Sequence, residues 1–214
     1  QVQIQQSIAL EVENEFGKNE MWYVVDCEPG AYLYCGLSKD TSKEEIEQRI
    51  KNNTITDILN KIEVKPGDCV FVKAGTIHAI GAGILICEIQ QNSNCTYRMY
   101  DYDRKDKFGN KRELHIKKAL DVVNVKKYIP FRKKESEQDI GDINKVKSDT
   151  LVSCKYFECF KYNVSGECNI KGDSASFISI IIISGSGEIK VDSLKNSEAE
   201  MFKAGDSFFV CAGQ

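Results

Sequence analysis

Histidine is scarce in this chain. Only two occur among 214 residues, His78 and His115, so a site built on imidazole has few candidates. Long apolar runs are missing as well. The longest, Phe177 to Ile183 with Ser179 inside it, falls far short of the ~20 residues a membrane-spanning helix needs. Nothing at the start reads as a signal peptide. The net charge is only −3, so no basic excess exists to attract nucleic acid. No Cys-x-x-Cys pair occurs, although nine cysteines are present. Their odd number and irregular spacing argue against a thiolate zinc site. Cys69, Cys87 and Cys211 lie in strand-like apolar runs and read as small buried hydrophobes. Reduced thiols in a cytoplasmic protein are the expectation.

What is present centres on residues 64–104. Lys65-Pro66-Gly67-Asp68 is turn chemistry: proline presets φ, glycine supplies a positive φ, and aspartate bonds back to the main chain. Cys69 to Val72 then reads as a buried strand. Ala74-Gly75-Thr76 breaks it, and Ile77 to Ile80 resumes it with His78 inside. A turn, a strand, a break of small residues and a histidine is how a β-barrel presents an imidazole at its mouth. Glu88 follows ten positions later, and Arg98 lies beyond it in an alternating run.

Before this stretch, Gln1 to Gln5 alternate like a strand, and Ala9 to Phe16 reads as a short acidic helix or loop. Glu20 to Asp26 and Ala31 to Cys35 read as strands rich in aromatic and β-branched residues. Thr41-Ser42 with Glu44-Glu45 is a helix start. The isoleucines that follow predict two short helices over about 42–61, broken near Asn52-Asn53. After it, strands are expected over Thr96–Tyr102, a hairpin turn around Gly109-Asn110, and a helix from Lys117 to Val123. Residues 126–147 are charged and polar, an expected linker or exposed excursion. Leu151 onward is β again, with strands expected over Cys154–Phe160, Lys161–Val164, Ser176–Ile183, Gly187–Val191 and Ser207–Cys211.

One segment repeats. Lys65-Pro-Gly-Asp-Cys-Val-Phe-Val-Lys-Ala-Gly75 matches Lys203-Ala-Gly-Asp-Ser-Phe-Phe-Val-Cys-Ala-Gly213, with turn, strand and closing glycine in register. Two copies of one unit imply two similar barrels. The second copy stops at Gln214, and Gln1 falls in mid-strand. A chain cut short at both ends is therefore expected, with the second barrel incomplete. The fold expected is mainly β, with residues 1–125 forming a first barrel, 126–150 a linker and 151–214 a second barrel.

The run Gly-Asp-x-x-x-Val-x-x-Gly-x-x-His is similar to the second motif of the cupin superfamily. The longer run GTIHAIGAGILICEIQQNSNCTYRMYDYDR, with RELHIKKALDVV after it and GKNEMWYVVDC before it, resembles the compact bacterial form of the type I mannose-6-phosphate isomerases. The resemblance covers nearly the whole chain and is strongest from Gly17 to Val123. It implies two cupin-type jelly-roll barrels, the first catalytic and the second not. It also implies one zinc ion and a sugar-phosphate substrate passed between mannose 6-phosphate and fructose 6-phosphate. Zinc in that family is held by a Gln-x-His pair, a glutamate after Gly-Lys-x, and the motif histidine. Those positions are Gln1, Gln3, Glu20 and His78 here, with Gln3 standing where the histidine should be. The family's catalytic arginine falls on Arg98, its buried acid on Glu88 and its phosphate-side lysine on Lys18. Asn94 occupies a position that is often aspartate. The resemblance places His115 outside the metal shell.

Aldose–ketose isomerisation moves a proton between C2 and C1, so the site needs a base and positive charge for the oxyanion. Zinc with an open position supplies the charge. Arg98 offers a rigid donor fork for the developing charge or the phosphate, Glu88 a proton carrier or a partner for Arg98, and Lys18 an attraction for the phosphate. An amide oxygen is a poorer zinc ligand than imidazole, so weak zinc occupancy or low activity is expected. Each residue also has a blander reading. His78 and His115 are then packed core, Glu20 a rim charge, Glu88 a solvent-facing residue, Arg98 a cross-strand partner and Lys18 a turn residue. Trp22 and Tyr23 read as packing. Two rival functions stand beside the isomerase. One is a degenerate cupin that binds a sugar phosphate without turnover. The other is a cupin iron dioxygenase, which needs a second histidine at the metal.

Overall fold

The structure, a computed structural model, describes residues 1–3, 9, 11, 13–129, 131, 145–191 and 198–213. Most of the expected linker, 132–144, lies outside these, as do residues 4–8 and Gln214. The chain divides into two compact units: Gln1–Gln138 with Ser148–Lys161, and Asp139–Lys147 with Tyr162–Gln214. No helix among the described residues is long and apolar enough to cross a membrane.

The first unit is built from two three-stranded antiparallel sheets. In one, β2 (Glu20–Cys27) lies between β5 (Cys69–Val72) and β7 (Ile84–Gln90). In the other, β3 (Tyr32–Leu37) lies between β4 (Leu59–Glu63) and β6 (His78–Ile80). Alternation puts Trp22, Val24, Val70 and Val72 of the first sheet against Leu33, Cys35 and Ile62 of the second, in one apolar core. A short pair, β1 (Val2–Gln3) and β8 (Thr96–Tyr97), completes the site end of the unit. Its other edge is zipped to the stretch before β6: His78 N–H bonds Gln1 O at 3.0 Å, and Gly75 N–H bonds Gln3 O at 2.8 Å.

Helix α1 (Lys43–Lys51) starts where expected, with Ser42 Oγ accepting from Glu45 N–H at 3.1 Å. Ile46 and Ile50, one turn apart, are its buried stripe. They pack with Val2, Tyr97 and Met99 and with Ala119 and Val122 of α2 (Ile116–Val122). Asn52 caps the helix, and Asn53 just beyond it takes the left-handed φ of 57°.

Three local expectations are corrected. The second helix of 42–61 is only a 3-10 turn, Ile55–Ile58, and Leu59 already begins β4. Ile55, Ile58, Leu59 and Ile62 fit helical spacing in the sequence, but pairing with β3 turns Ile62 into the core opposite Leu33. The strand expected over Thr96–Tyr102 stops at Tyr97, and Tyr102 and Asp103 adopt φ near 55° and 53°, which no strand permits. Cys154–Phe157 is a turn closed by Cys154 N–H to Phe157 O at 3.0 Å, between β9 (Lys145–Ser153) and β10 (Glu158–Ser165).

The domain boundary also differs from the expected one. Leu151, Val152, Phe157 and Cys159 cover the outer face of the first sheet, against Met21, Tyr23, Cys69, Cys87 and Ile89. That face alternates with the core face along β2 and is just as apolar, so it needs a cover of its own. Residues 148–161 therefore belong to the first unit, not to the second.

In the second unit β11 (Ile178–Ile181) pairs with β14 (Ser207–Val210), and β12 (Ser186–Ile189) with β13 (Glu200–Lys203). The repeated segments fold alike. Gly67 and Gly205 have φ of 92° and 93°, and Asp68 and Asp206 accept from Lys65 and Lys203 N–H at 3.0 and 2.9 Å. Val24 and Ile182 make the same pair of main-chain bonds to the two turns. This equivalence sets Ile178, opposite Val210, in the place of Glu20, opposite Val72.

Asn60 locks the second sheet. Its Nδ2 donates to the carbonyls of Cys35, Leu37 and Tyr128 at 3.1, 3.1 and 2.9 Å. Asn60→Ala is expected to lower stability by ~1–3 kcal/mol, read as a drop in urea midpoint at unchanged slope.

Candidate metal and sugar-phosphate site

The first residues of β2 and β6 meet across the two sheets. Glu20 is 1% exposed and His78 0%, and Glu20 Oε2 lies 3.6 Å from His78 Nε2. Each is held by its neighbours. Asn19 ties down the entry to β2, its Oδ1 accepting from Ala74 N–H and its Nδ2 donating to Gln91 Oε1. His78 Nδ1 lies 2.8 Å from the carbonyl oxygen of Thr76. A carbonyl only accepts, so Nδ1 carries the proton and Nε2 presents a bare lone pair. The Trp22 ring meets the imidazole edge-on, 5.3 Å between centroids, and floors the site.

Gln3 comes in from β1, fully buried. Its Nε2 donates to Glu20 Oε1 at 2.7 Å. That leaves Gln3 Oε1, Glu20 Oε2 and His78 Nε2, all buried and none with a hydrogen-bond partner. Three unpartnered acceptors in one place are costly unless something positive sits among them. A divalent cation does this, and the donor set, a carboxylate oxygen, an imidazole nitrogen and an amide oxygen, suits one. Among the described residues no three His, Cys, Asp or Glu side chains come within reach of one ion, so a cation held here by three side chains would take the Gln3 amide as its third donor.

Charge around the pair is consistent with this. Burial drives the His78 imidazole down to about 3, keeping it neutral at physiological pH. Burial first, then the neighbouring Glu88 carboxylate, raises Glu20 to about 7, while Lys18 opposes the rise. Lys18 Nζ is 3.6 Å from Glu20 Oε1, and its side chain is 12% exposed. Glu88 stands opposite Trp22 on the neighbouring strand, and cross-strand partners share a face. It therefore points to the inner side with Glu20, yet it is exposed, so solvent reaches the inner face there.

The other candidates are less central. Gln1 is exposed and meets His78 through the main chain, in a reciprocal pair of 3.0 Å bonds. Arg98 is half-buried. Asn94 is exposed between β7 and β8 and bonds to none of these side chains. Sequence reasoning missed Thr76 and Asn19. Asn19 directly follows Lys18, but nothing in the sequence marks a main-chain carbonyl as the group that fixes an imidazole.

No family profile matches the chain. The mannose-6-phosphate isomerase ManA of Bacillus subtilis (strain 168) is 40% identical over 199 residues, which is 93% of this chain and 60% of that relative. The crystal structure of the mannose 6-phosphate isomerase from Bacillus subtilis matches with a TM-score of 0.84 at 35% identity, over 99% of this chain and 65% of that one. A zinc-bound mannose 6-phosphate isomerase shares the fold at 12% identity and a TM-score of 0.64, over 99% and 70% of the two chains. The fold is thus mainly β and of the cupin type found in sugar-phosphate isomerases. Over 93% of its own length the chain is similar in sequence to a mannose-6-phosphate isomerase, and over 99% it is similar in structure to one. It spans about 60% of the length of the curated relative it matches.

The two central groups pull stability in opposite directions in cation-free protein. A carboxyl raised on folding adds stability at low pH and loses it as pH climbs from 4.5 through about 7. An imidazole lowered on folding leaves stability intact above 6.5 and erodes it as pH falls from there toward about 3. Glu20→Gln is therefore expected to gain roughly 1–3 kcal/mol over the parent between about pH 5 and pH 8, measured by urea melts in chelator.

Proposed function

We propose that this chain carries the active site of an isomerase that interconverts mannose 6-phosphate and fructose 6-phosphate with one zinc ion. The three unpartnered acceptors at Glu20, His78 and Gln3 carry the reading. Identity to the mannose-6-phosphate isomerases supports this choice of substrate, and zinc is bound in a mannose 6-phosphate isomerase that shares the fold.

Glu20, His78 and Gln3 would hold the cation, and Gln1, just before β1, would offer a further amide. Bound there, the ion would supply Lewis acidity for the carbonyl and hydroxyl between which the proton moves. Glu88, on the inner face and open to solvent, would carry that proton between C1 and C2. Lys18, beside the carboxylates, adds positive charge near the reacting oxygens. Arg98 provides the planar fork that meets the substrate's charge, and Asn94 contributes a neutral polar group at the rim. The first unit is the catalytic one in this reading. The second is not, since Ile178 stands where Glu20 would be.

Gln3 favours one rival: a site that binds the sugar phosphate without turning it over. An amide in place of imidazole weakens the cation's hold, and Gln3→His is expected to tighten zinc binding by ~10–100-fold, measured by competition with a chromogenic chelator. A coupled assay for fructose 6-phosphate, with and without zinc, decides between the two. Turnover that appears with zinc and disappears in His78→Ala supports the isomerase. Binding of mannose 6-phosphate without turnover, in both the parent and Gln3→His at saturating zinc, supports the rival.

A further inference from the structure

His115 has no part in the chemistry above, yet both of its main partners are on Arg98. Strand β8 ends at Tyr97, so no ladder holds the main chain of Arg98. His115 takes over. Its ring Nδ1 accepts from Arg98 N–H at 3.2 Å, and its own N–H donates to Arg98 O at 2.7 Å. Because Nδ1 accepts, the ring proton sits on Nε2. His115 is itself anchored as the residue capping α2, its carbonyl accepting from Ala119 N–H at 2.9 Å. Ala119 and Val122 fix that helix in the core beside Val2 and Tyr97. The same segment reaches the far end of the side chain: Arg98 Nη1 donates to Glu113 O at 3.5 Å.

We propose that His115 is a positioning residue for Arg98, its imidazole standing in for the missing strand partner and aiming the guanidinium at the sugar phosphate. A guanidinium fork is selective only if its root is fixed, and small displacements of an oriented group are costly. The ring is bound to Arg98 rather than to the acceptors at Glu20 and His78, so it is not a further metal ligand. This inference rests on the reading of Arg98 as a substrate contact.

The test measures mannose 6-phosphate affinity by calorimetry on the full chain with zinc present, for the parent, R98A, H115A, H115N and R98A/H115A. An Asn Oδ1 can replace Nδ1 as acceptor, whereas Ala cannot. H115A is expected to lose roughly tenfold in affinity, H115N to stay within about threefold, and the double variant to bind no more weakly than R98A. Amide exchange of Arg98 N–H, slow in the parent and H115N, should quicken about tenfold in H115A. Parent-like binding by H115A, while R98A is impaired, overturns the proposal, as do losses that add in the double variant. If R98A binds like the parent, the reading of Arg98 has failed, and with it the aim assigned to His115. Unprotected exchange of Arg98 N–H in the parent overturns the clamp itself. Should H115A not fold, H115N and the exchange rates still decide the matter.

Discussion

Everything at this site follows from one electrostatic conflict. Three atoms that can only accept, Gln3 Oε1, Glu20 Oε2 and His78 Nε2, are buried together without a donor. The protein has two ways to relieve it. A proton on Glu20 is one, and burial next to Glu88 prepares the carboxyl to hold it. A cation, as in the function proposed above, would be the other, and it would have to displace that proton. Its affinity would then depend on pH through Glu20 more than through His78, whose imidazole is kept neutral by burial.

The surrounding structure serves to maintain the conflict. The two sheets bring Glu20 and His78 together from strands that are not neighbours, and their shared apolar core keeps water from the deep end. Thr76 O fixes the tautomer that leaves Nε2 bare. The short strand β1, gripped on one side by β8 and on the other by the Gly75–His78 stretch, delivers Gln3. The rest of the inner face is graded from dry to wet, running from Trp22 through Lys18 to the exposed Glu88. That gradient leaves Glu88 open to solvent while Gln3, Glu20 and His78 stay buried.

Much of this was legible before any coordinates. Turn chemistry around Gly67 and Gly205 fixed two copies of one unit, because a positive φ beside a back-bonding aspartate leaves few conformations. Alternation placed β2, β3 and β5. The Ser42 cap and the Ile46–Ile50 stripe placed α1. Other features depend on partners distant in sequence. Isoleucines spaced alike in a helix and in a turn-plus-strand give one pattern for two structures, and only pairing with β3 decided for β4. Single-residue alternation could not say whether Glu88 faced in or out, since both faces of its sheet are covered or lined. Its position opposite Trp22 settled that. The placing of His115 likewise depends on a strand that ends one residue before Arg98.

The double coverage of the first sheet reaches further. Met21, Tyr23 and Cys69 are shielded by a hairpin that the chain supplies only after the long polar excursion following Tyr128. During synthesis on the ribosome, the sheet that carries Glu20 therefore emerges with one greasy flank bare until residues 148–161 arrive. A fragment ending before Ser148 would keep every candidate ligand and still lack that cover. Its hazard would be self-association through the naked flank, not loss of chemistry.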